Sequence, residues 1–391
     1  MHRRTFLLES AGLTASLLPA TRFASAQSWS PKVIQFVRDR QEREYLQLAD
    51  ALHLGSAKSA YEKIANRRVS PDLQQEYGSA ALPTPYEDPY MYPVMTKTFD
   101  LLSRENEALG APPLPHPFLA TLPAGDVEAS SAEEETTKTP VVFFEQGLFS
   151  FFYDMAKLMA WAAPPLTEGQ LTDDTALTQV PRSYTMPLRA SEYFAASLFT
   201  YATSGSPVAT LLPIPEPSQN LGLSIRLLNH MVRFAMGHEL AHIRERDRNK
   251  PQTWEVEYKA DALSASLVTT LADINHGSWA VGYWGCELAL VALNLLYRAI
   301  AFTSFGGKKL TWVSPTHPDP LKRRENLRGI WLNPRSPETG VAAAREMSGM
   351  MEALFQRLWE IGLAEMAIGY QRGERASPRW RKAARSFQVA A

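Results

Sequence analysis

The segment Met236-Gly237-His238-Glu239-Leu240-Ala241-His242-Ile243 constrains this chain more than any other. Upstream, Leu223, Leu227, Val232, Phe234 and Met236 recur at helical spacing, which predicts one long helix through the segment, ended by Lys250-Pro251. At about 3.6 residues per turn, positions four apart lie about 40° apart around the axis, so His238 and His242 share a face and can grip one cation together. Glu239, one residue on from His238, is displaced to the side of that face, where its carboxylate can reach a water beside the ion without binding the ion. The apolar neighbours Met236, Leu240, Ala241 and Ile243 hold this polar stripe in a partly buried cleft.

A catalytic zinc centre needs a third protein ligand and an open fourth position. The next segment offers both carboxylates and a helix to carry them: Thr253 can cap a helix with Glu255 and Glu257 in its first turn, followed by Asp261, Leu263 and Leu267. Glu257 and Asp261 are four apart and share a face. One of the two can ligate while the other accepts a hydrogen bond from a ligand imidazole and so fixes its tautomer. The short stretch between His242 and Glu257 leaves room for a turn and an antiparallel helical return.

Composition bounds the rest. Of 391 residues, 40 are Lys or Arg and 41 are Asp or Glu, so nothing in the charge points to nucleic acid, and the composition is that of an ordinary globular protein. A single cysteine, Cys286, forbids an intrachain disulfide; it sits in an apolar run and reads as buried. Residues 1–26 read as an export leader of the twin-arginine kind, with Arg3-Arg4 before Thr5-Phe6-Leu7-Leu8, an apolar stretch to Leu18 and small residues at Ala24-Ser25-Ala26. That leader implies a periplasmic or otherwise exported, mildly acidic mature protein. The run Trp279 to Phe305 is long enough to span a bilayer but contains Glu287, Asn294 and Arg298, each charge costing roughly 2.5–3.5 kcal/mol near the centre of a span, so it is predicted to be a core helix.

Along the chain, residues 27–91 form an N-terminal helical segment. Helical spacing in residues 31–70 predicts an exposed helix there, and the proline and tyrosine cluster Leu82 to Pro93 reads as a boundary loop. A helix from Val94 to Leu109 stops at Gly110. Strands are expected at Phe118–Leu122 and Val141–Phe144, separated by a solvated acidic loop containing Glu133-Glu134-Glu135. A helix follows from Leu148 to Trp161, and 164–220 reads as an irregular insertion around an aromatic patch, Tyr193 to Tyr201. His317 lies in a stiff loop, Ser314-Pro315-Thr316-His317-Pro318-Asp319-Pro320, ahead of a helix from Leu321. In the last part, 331–391, Val341 to Ile368 reads as an amphipathic core helix. The basic tail from Arg372 to Arg385 is solvated, with contact to an anionic lipid surface as the peripheral membrane option.

With these residues in view, the sequence resembles the gluzincin peptidases of the HtpX and CAAX-prenyl-protease group over residues 92–330. The likeness rests on the helix ending Glu107-Ala108-Leu109-Gly110, the strand Val141 to Phe144 before Gly147-Leu148, the Gly237 to His242 helix, Glu257-Tyr258-Lys259-Ala260-Asp261, and Thr316-His317-Pro318 followed by Arg323 and Leu327. It implies an α+β, mostly helical metallopeptidase domain with a small sheet beside the His-Glu-x-x-His helix. It further implies zinc on His238, His242 and Glu257, Glu239 as general base and acid, and Asp261 holding a ligand imidazole. His317 and Arg323 would lie near the site, at the developing oxyanion or, for His317, at the open metal position. The substrate would be a protein or peptide, held by an edge strand for which Val141–Phe144 is the candidate. Two departures stand out: the clear membrane spans of embedded members are missing, and the insertion at 164–220 separates helices usually closer together. Two other functions stay open, a zinc-stabilised binding module without activity and a cytosolic peptidase that cuts a regulator with residues 1–26 retained.

Overall fold

The computed structural model describes residues 29–51, 53–68, 82–123, 127–179, 188–205, 220–245, 253–274, 277–308, 310–314, 316–332, 339–380 and 386–389. The expected leader at 1–26 and the helix stop at Lys250-Pro251 lie outside them. The chain is mostly helical with a small mixed sheet, and divides into two compact units. One comprises residues up to Asp100 with 115–124 and 128–146; the other comprises 101–114, 125–127 and everything from Gly147 on.

In the first unit, helix α1 (Pro31–Ala51) is not the exposed segment expected. Its Val33 and Val37 are fully buried against Phe118, Ala120, Leu122, Val141 and Phe143, while Tyr45 and Ala49 pack against Ala57 and Ala60 of helix α2 (Ala57–Arg68) and against Tyr86, and Leu46 stays exposed. Strand β1 (Phe118–Leu122) pairs in parallel with β3 (Thr139–Glu145), and β3 pairs antiparallel with β2 (Ala129–Glu134). The acidic loop of the sequence reading is therefore largely a strand. Its turn is fixed by Glu134, whose carboxylate accepts hydrogen bonds from the backbone N–H groups of Thr136 and Thr137 and from the Thr137 hydroxyl. The strand order β1-β3-β2 also makes β3 central, so Val141–Phe144 is not an edge open to a substrate strand. Both hydrogen-bonding edges of β3 are taken, by β1 and β2, which is the physical reason for the correction; its continuous apolar run reports only that both faces are buried.

The proline and tyrosine cluster is a loop up to Tyr90, as expected, and it also holds a polar hub. Gln41, on α1, and Glu87 are both fully buried. Glu87 accepts from Gln41 Nε2 at 2.8 Å, Thr121 N at 2.7 Å and the hydroxyls of Thr121 and Thr84. Asp88 caps helix α3 (Met91–Ala108) through the N–H groups of Tyr90 and Met91. Burial pushes the Glu87 carboxyl up to about 7, against the pull of its Thr121, Gln41 and Thr84 donors. A carboxyl whose folded pKa exceeds its unfolded value holds its proton more tightly when folded, so its contribution is full below about pH 4.5 and is lost as pH rises through about 7. We expect denaturant unfolding to show stability falling over that window by an amount on the order of 3 kcal/mol, and the slope to flatten in Glu87→Gln. An unchanged slope would rule out Glu87 as its source.

The second unit is built on helix α9 (Trp279–Phe305). It is long and apolar enough to cross a membrane, yet 67% of its most apolar window is buried within the fold, as expected of a core helix. Cys286 lies fully buried on it. Around α9 pack α6 (Leu188–Ser204), α7 (Leu221–Arg244), α8 (Trp254–Ile274), α10 (Pro320–Trp331) and α11 (Thr339–Gln371). The approach of α9 to α7 depends on Gly285, where a Cβ would come within 2.3 Å of His230 Cβ. Part of the predicted insertion is thus a core helix: Phe194, Leu198 and Tyr201 of α6 are fully buried. The tail is not simply solvated either, since Trp380 is buried and donates its indole N–H to Tyr201 O, and strand β5 (Phe387–Val389) pairs with β4 (Leu310–Trp312).

Candidate metal centre

Helices α7 and α8 run antiparallel. Contacts step in opposite directions along the two, from Phe234 O with Ser264 Oγ, through His238 with Asp261, to His242 with Glu257. They come close because Gly237 faces Ser264, whose Oγ would lie 2.5 Å from any Cβ placed there. Glycine in mid-helix is ordinarily unfavourable by about 0.5–1 kcal/mol relative to alanine. Its presence one residue before His238 is the signal in the sequence that could have announced this approach.

Three side chains converge from these helices. Ligand atoms of His238, His242 and Glu257 all lie within 4.8 Å of one another, an arrangement that could hold a metal ion. His238 Nε2 faces His242 Nε2 at 3.0 Å, and each is 3.5 Å from a different oxygen of Glu257. Glu257 is 2% exposed, and its Oε2 has no hydrogen-bond partner among the described residues. Its neighbours His238 Nε2 and Arg323 Nη1 stand at 3.5 and 3.6 Å, and a buried carboxylate oxygen left without a hydrogen bond costs about 1–3 kcal/mol. Two imidazole nitrogens and one carboxylate brought this close together form a group that could hold a metal ion.

Behind the ligands, Asp261 is fully buried and its Oδ1 lies 2.9 Å from His238 Nδ1. An ionised Asp261 can only accept, so a hydrogen bond here carries its proton on Nδ1, the nitrogen that Arg323 Nη2 also approaches at 3.3 Å, and Nε2 is the nitrogen turned to His242 and Glu257. Arg323, from α10, closes on Asp261 with both arms of its fork, Nε to Oδ2 at 2.8 Å and Nη2 to Oδ1 at 2.6 Å, while Nη1 sits 3.6 Å from Glu257 Oε2. The oxyanion role implied for Arg323 therefore differs from what its hydrogen bonds do. A buried Asp261 needs a counter-charge, and Arg323 supplies it. Burial and Arg323 both act to lower the pKa of His238, but Asp261 and Glu257 outweigh them and carry it up to about 10. Burial acts to raise Glu257 and Asp261, and the facing cations His238 and Arg323 hold both below the usual carboxylate range.

Glu239 is buried, 8% exposed, directly after His238 on α7. His317 is on the open side: its side chain is 59% exposed, with Nε2 3.8 Å from Glu257 Oε1 and Nδ1 2.8 Å from Thr316 Oγ1. Its loop is tied down by Trp254 Nε1 donating to Ser314 O and Trp312 Nε1 donating to His317 O. All seven residues singled out in the sequence thus belong to the unit of α7 to α11, six of them joined by the contacts above.

Sequence reasoning missed the brace that steadies α10. Fully buried Glu287, on α9, accepts from Arg328 Nε at 2.7 Å and from Ser348 Oγ, while Arg328 Nη1 reaches Glu352 on α11 at 2.8 Å. No sequence spacing links these residues. No family model, curated protein or solved structure matches the chain.

Proposed function

We propose that the chain is a zinc-dependent metalloendopeptidase of the gluzincin kind, similar to the HtpX and CAAX-prenyl-protease group, cutting peptide bonds in exported or misfolded proteins. The observation that carries the reading is the convergence of His238, His242 and Glu257 with Glu239 one residue beyond the first ligand. Zinc held there would supply polarisation of a water and of the scissile carbonyl. Glu239 takes the proton from that water as its oxygen bonds to the carbonyl carbon, then delivers the proton to the departing amine nitrogen as the C–N bond breaks. Asp261 keeps His238 in the tautomer that offers Nε2, and Arg323 keeps Asp261 ionised and oriented. His317, exposed beside Glu257, is the side chain available to meet charge developing on the carbonyl oxygen.

The proposed compartment is exported, on the strength of the leader pattern in residues 1–26. Metal analysis of the purified full chain is expected to give one zinc per chain, with cleavage of unfolded casein that a chelator abolishes and added zinc restores. A protein without zinc, or cleavage indifferent to the chelator, would end the reading.

A further inference from the structure

Helix α9 presents Asn294, Tyr297, Arg298 and Ala301 along one stripe of its C-terminal half. The stripe opens onto a cavity of about 400 Å³. Trp359 of α11 and the β4–β5 ribbon close it, with Trp312 and Phe387 edge to face at 5.1 Å and Trp312 also 5.5 Å from Tyr297.

The polar groups of this cavity are incompletely satisfied. The Arg298 guanidinium lies 4.0 Å over the Trp359 ring, and no hydrogen bond or ion pair to it occurs among the described residues. Asn294 is 6% exposed and its Oδ1 is buried with no hydrogen-bond partner. Lys308 adds a second cation to the lining. The single carboxylate there, Asp319, acts on Arg298 through the electrostatic field without an ion pair to it, and its Oδ1 is engaged by the Leu321 N–H as the cap of α10. A guanidinium lying over an aromatic ring still has the donors along the edge of its fork free for a planar anion, and a carboxylate matches that fork with two parallel hydrogen bonds. The remaining walls are aromatic and aliphatic and suit an apolar body.

We propose that this cavity binds an apolar molecule with a free carboxylate, its head on Arg298 with Lys308 nearby and its body between Trp312, Phe387 and Trp359. The same chemistry is offered by a fatty acid and by the free C-terminus of a peptide ending in an apolar residue. Neither the metal ligands nor Glu239 takes part, so the site stands whether or not the chain cleaves peptides.

The test is calorimetric titration of the full chain with decanoate and with a tripeptide ending in a free leucine carboxylate, beside decanol and the tripeptide amide. At least one acid is expected to saturate at one per chain and to bind at least about tenfold more tightly than its neutral counterpart. Arg298→Gln should weaken that acid by a similar factor. Leu363→Trp, which fills the cavity and leaves every charge in place, should remove its binding while circular dichroism and melting stay those of the wild type. Decanoate binding alone would identify a fatty-acid site, and peptide-acid binding alone a C-terminus reader. Failure of both acids to saturate, or affinities indifferent to both substitutions, would overturn the proposal.

Discussion

Glu239→Gln is expected to retain one zinc per chain and to lose cleavage of unfolded protein by about 10²–10⁴-fold in kcat/KM, the range that a positioned general base contributes. The amide is nearly the same size as the carboxylate, and Glu239 is not one of the three converging ligands, so neither the fold of α7 nor the metal has reason to leave. What is lost is the group that can take a proton from water and hand it on. In free-energy terms that is roughly 3–5 kcal/mol of transition-state stabilisation. Zinc analysis and initial-rate measurements on the same preparation decide it. Wild-type turnover in the variant would take Glu239 out of the mechanism while leaving the metal centre intact.

Asp261→Asn is expected to act on stability and on the metal together. Asp261 is fully buried between His238 Nδ1 and the two-armed contact of Arg323. Removing its charge leaves a guanidinium that is only 12% exposed without its carboxylate partner, the nearest remaining acid being Glu257 at 3.6 Å. Breaking a buried pair this way costs about 3–5 kcal/mol, a fall in melting temperature of roughly 10 °C or more for a unit of this size. Metal affinity should fall about 10–100-fold, because His238 loses the acceptor that fixes its tautomer. The double substitution Asp261→Leu with Arg323→Met separates the two effects: stability should largely return, since an apolar pair replaces the charges, while metal affinity should not. A single variant that melts and binds metal like the wild type would remove Asp261 and Arg323 from the account of the site.

These two substitutions also mark how far the sequence could be followed. His238, Glu239 and His242 are legible because helical periodicity alone fixes which side chains share a face, and the same argument puts Glu257 and Asp261 together on α8. Which carboxylate meets the metal point was open at that level, and the family likeness chose Glu257. That Asp261 turns to His238 Nδ1 depends on the depth at which α8 lies against α7, set by Gly237 and Ser264. Arg323 could be placed near the site by likeness, but its engagement with Asp261 crosses 62 residues and reflects where α10 docks on α9.

The sequence by itself determined these helices and the faces that carry them: the histidine stripe of α7, the acid stripe of α8, and the core character of Trp279–Phe305, where Glu287, Asn294 and Arg298 in an apolar run marked burial rather than a membrane span. Local spacing and hydrophobicity suffice for that, because each depends only on neighbours within a few residues. Only the tertiary structure decided that β3 lies between β1 and β2, that Glu87 is the buried hub of the first unit, that Leu188–Ser204 packs as a core helix, and that Arg298 faces a cavity over the Trp359 ring. Each of those is a meeting of segments far apart in the chain, and no periodicity within one segment states which other segment will come to cover it.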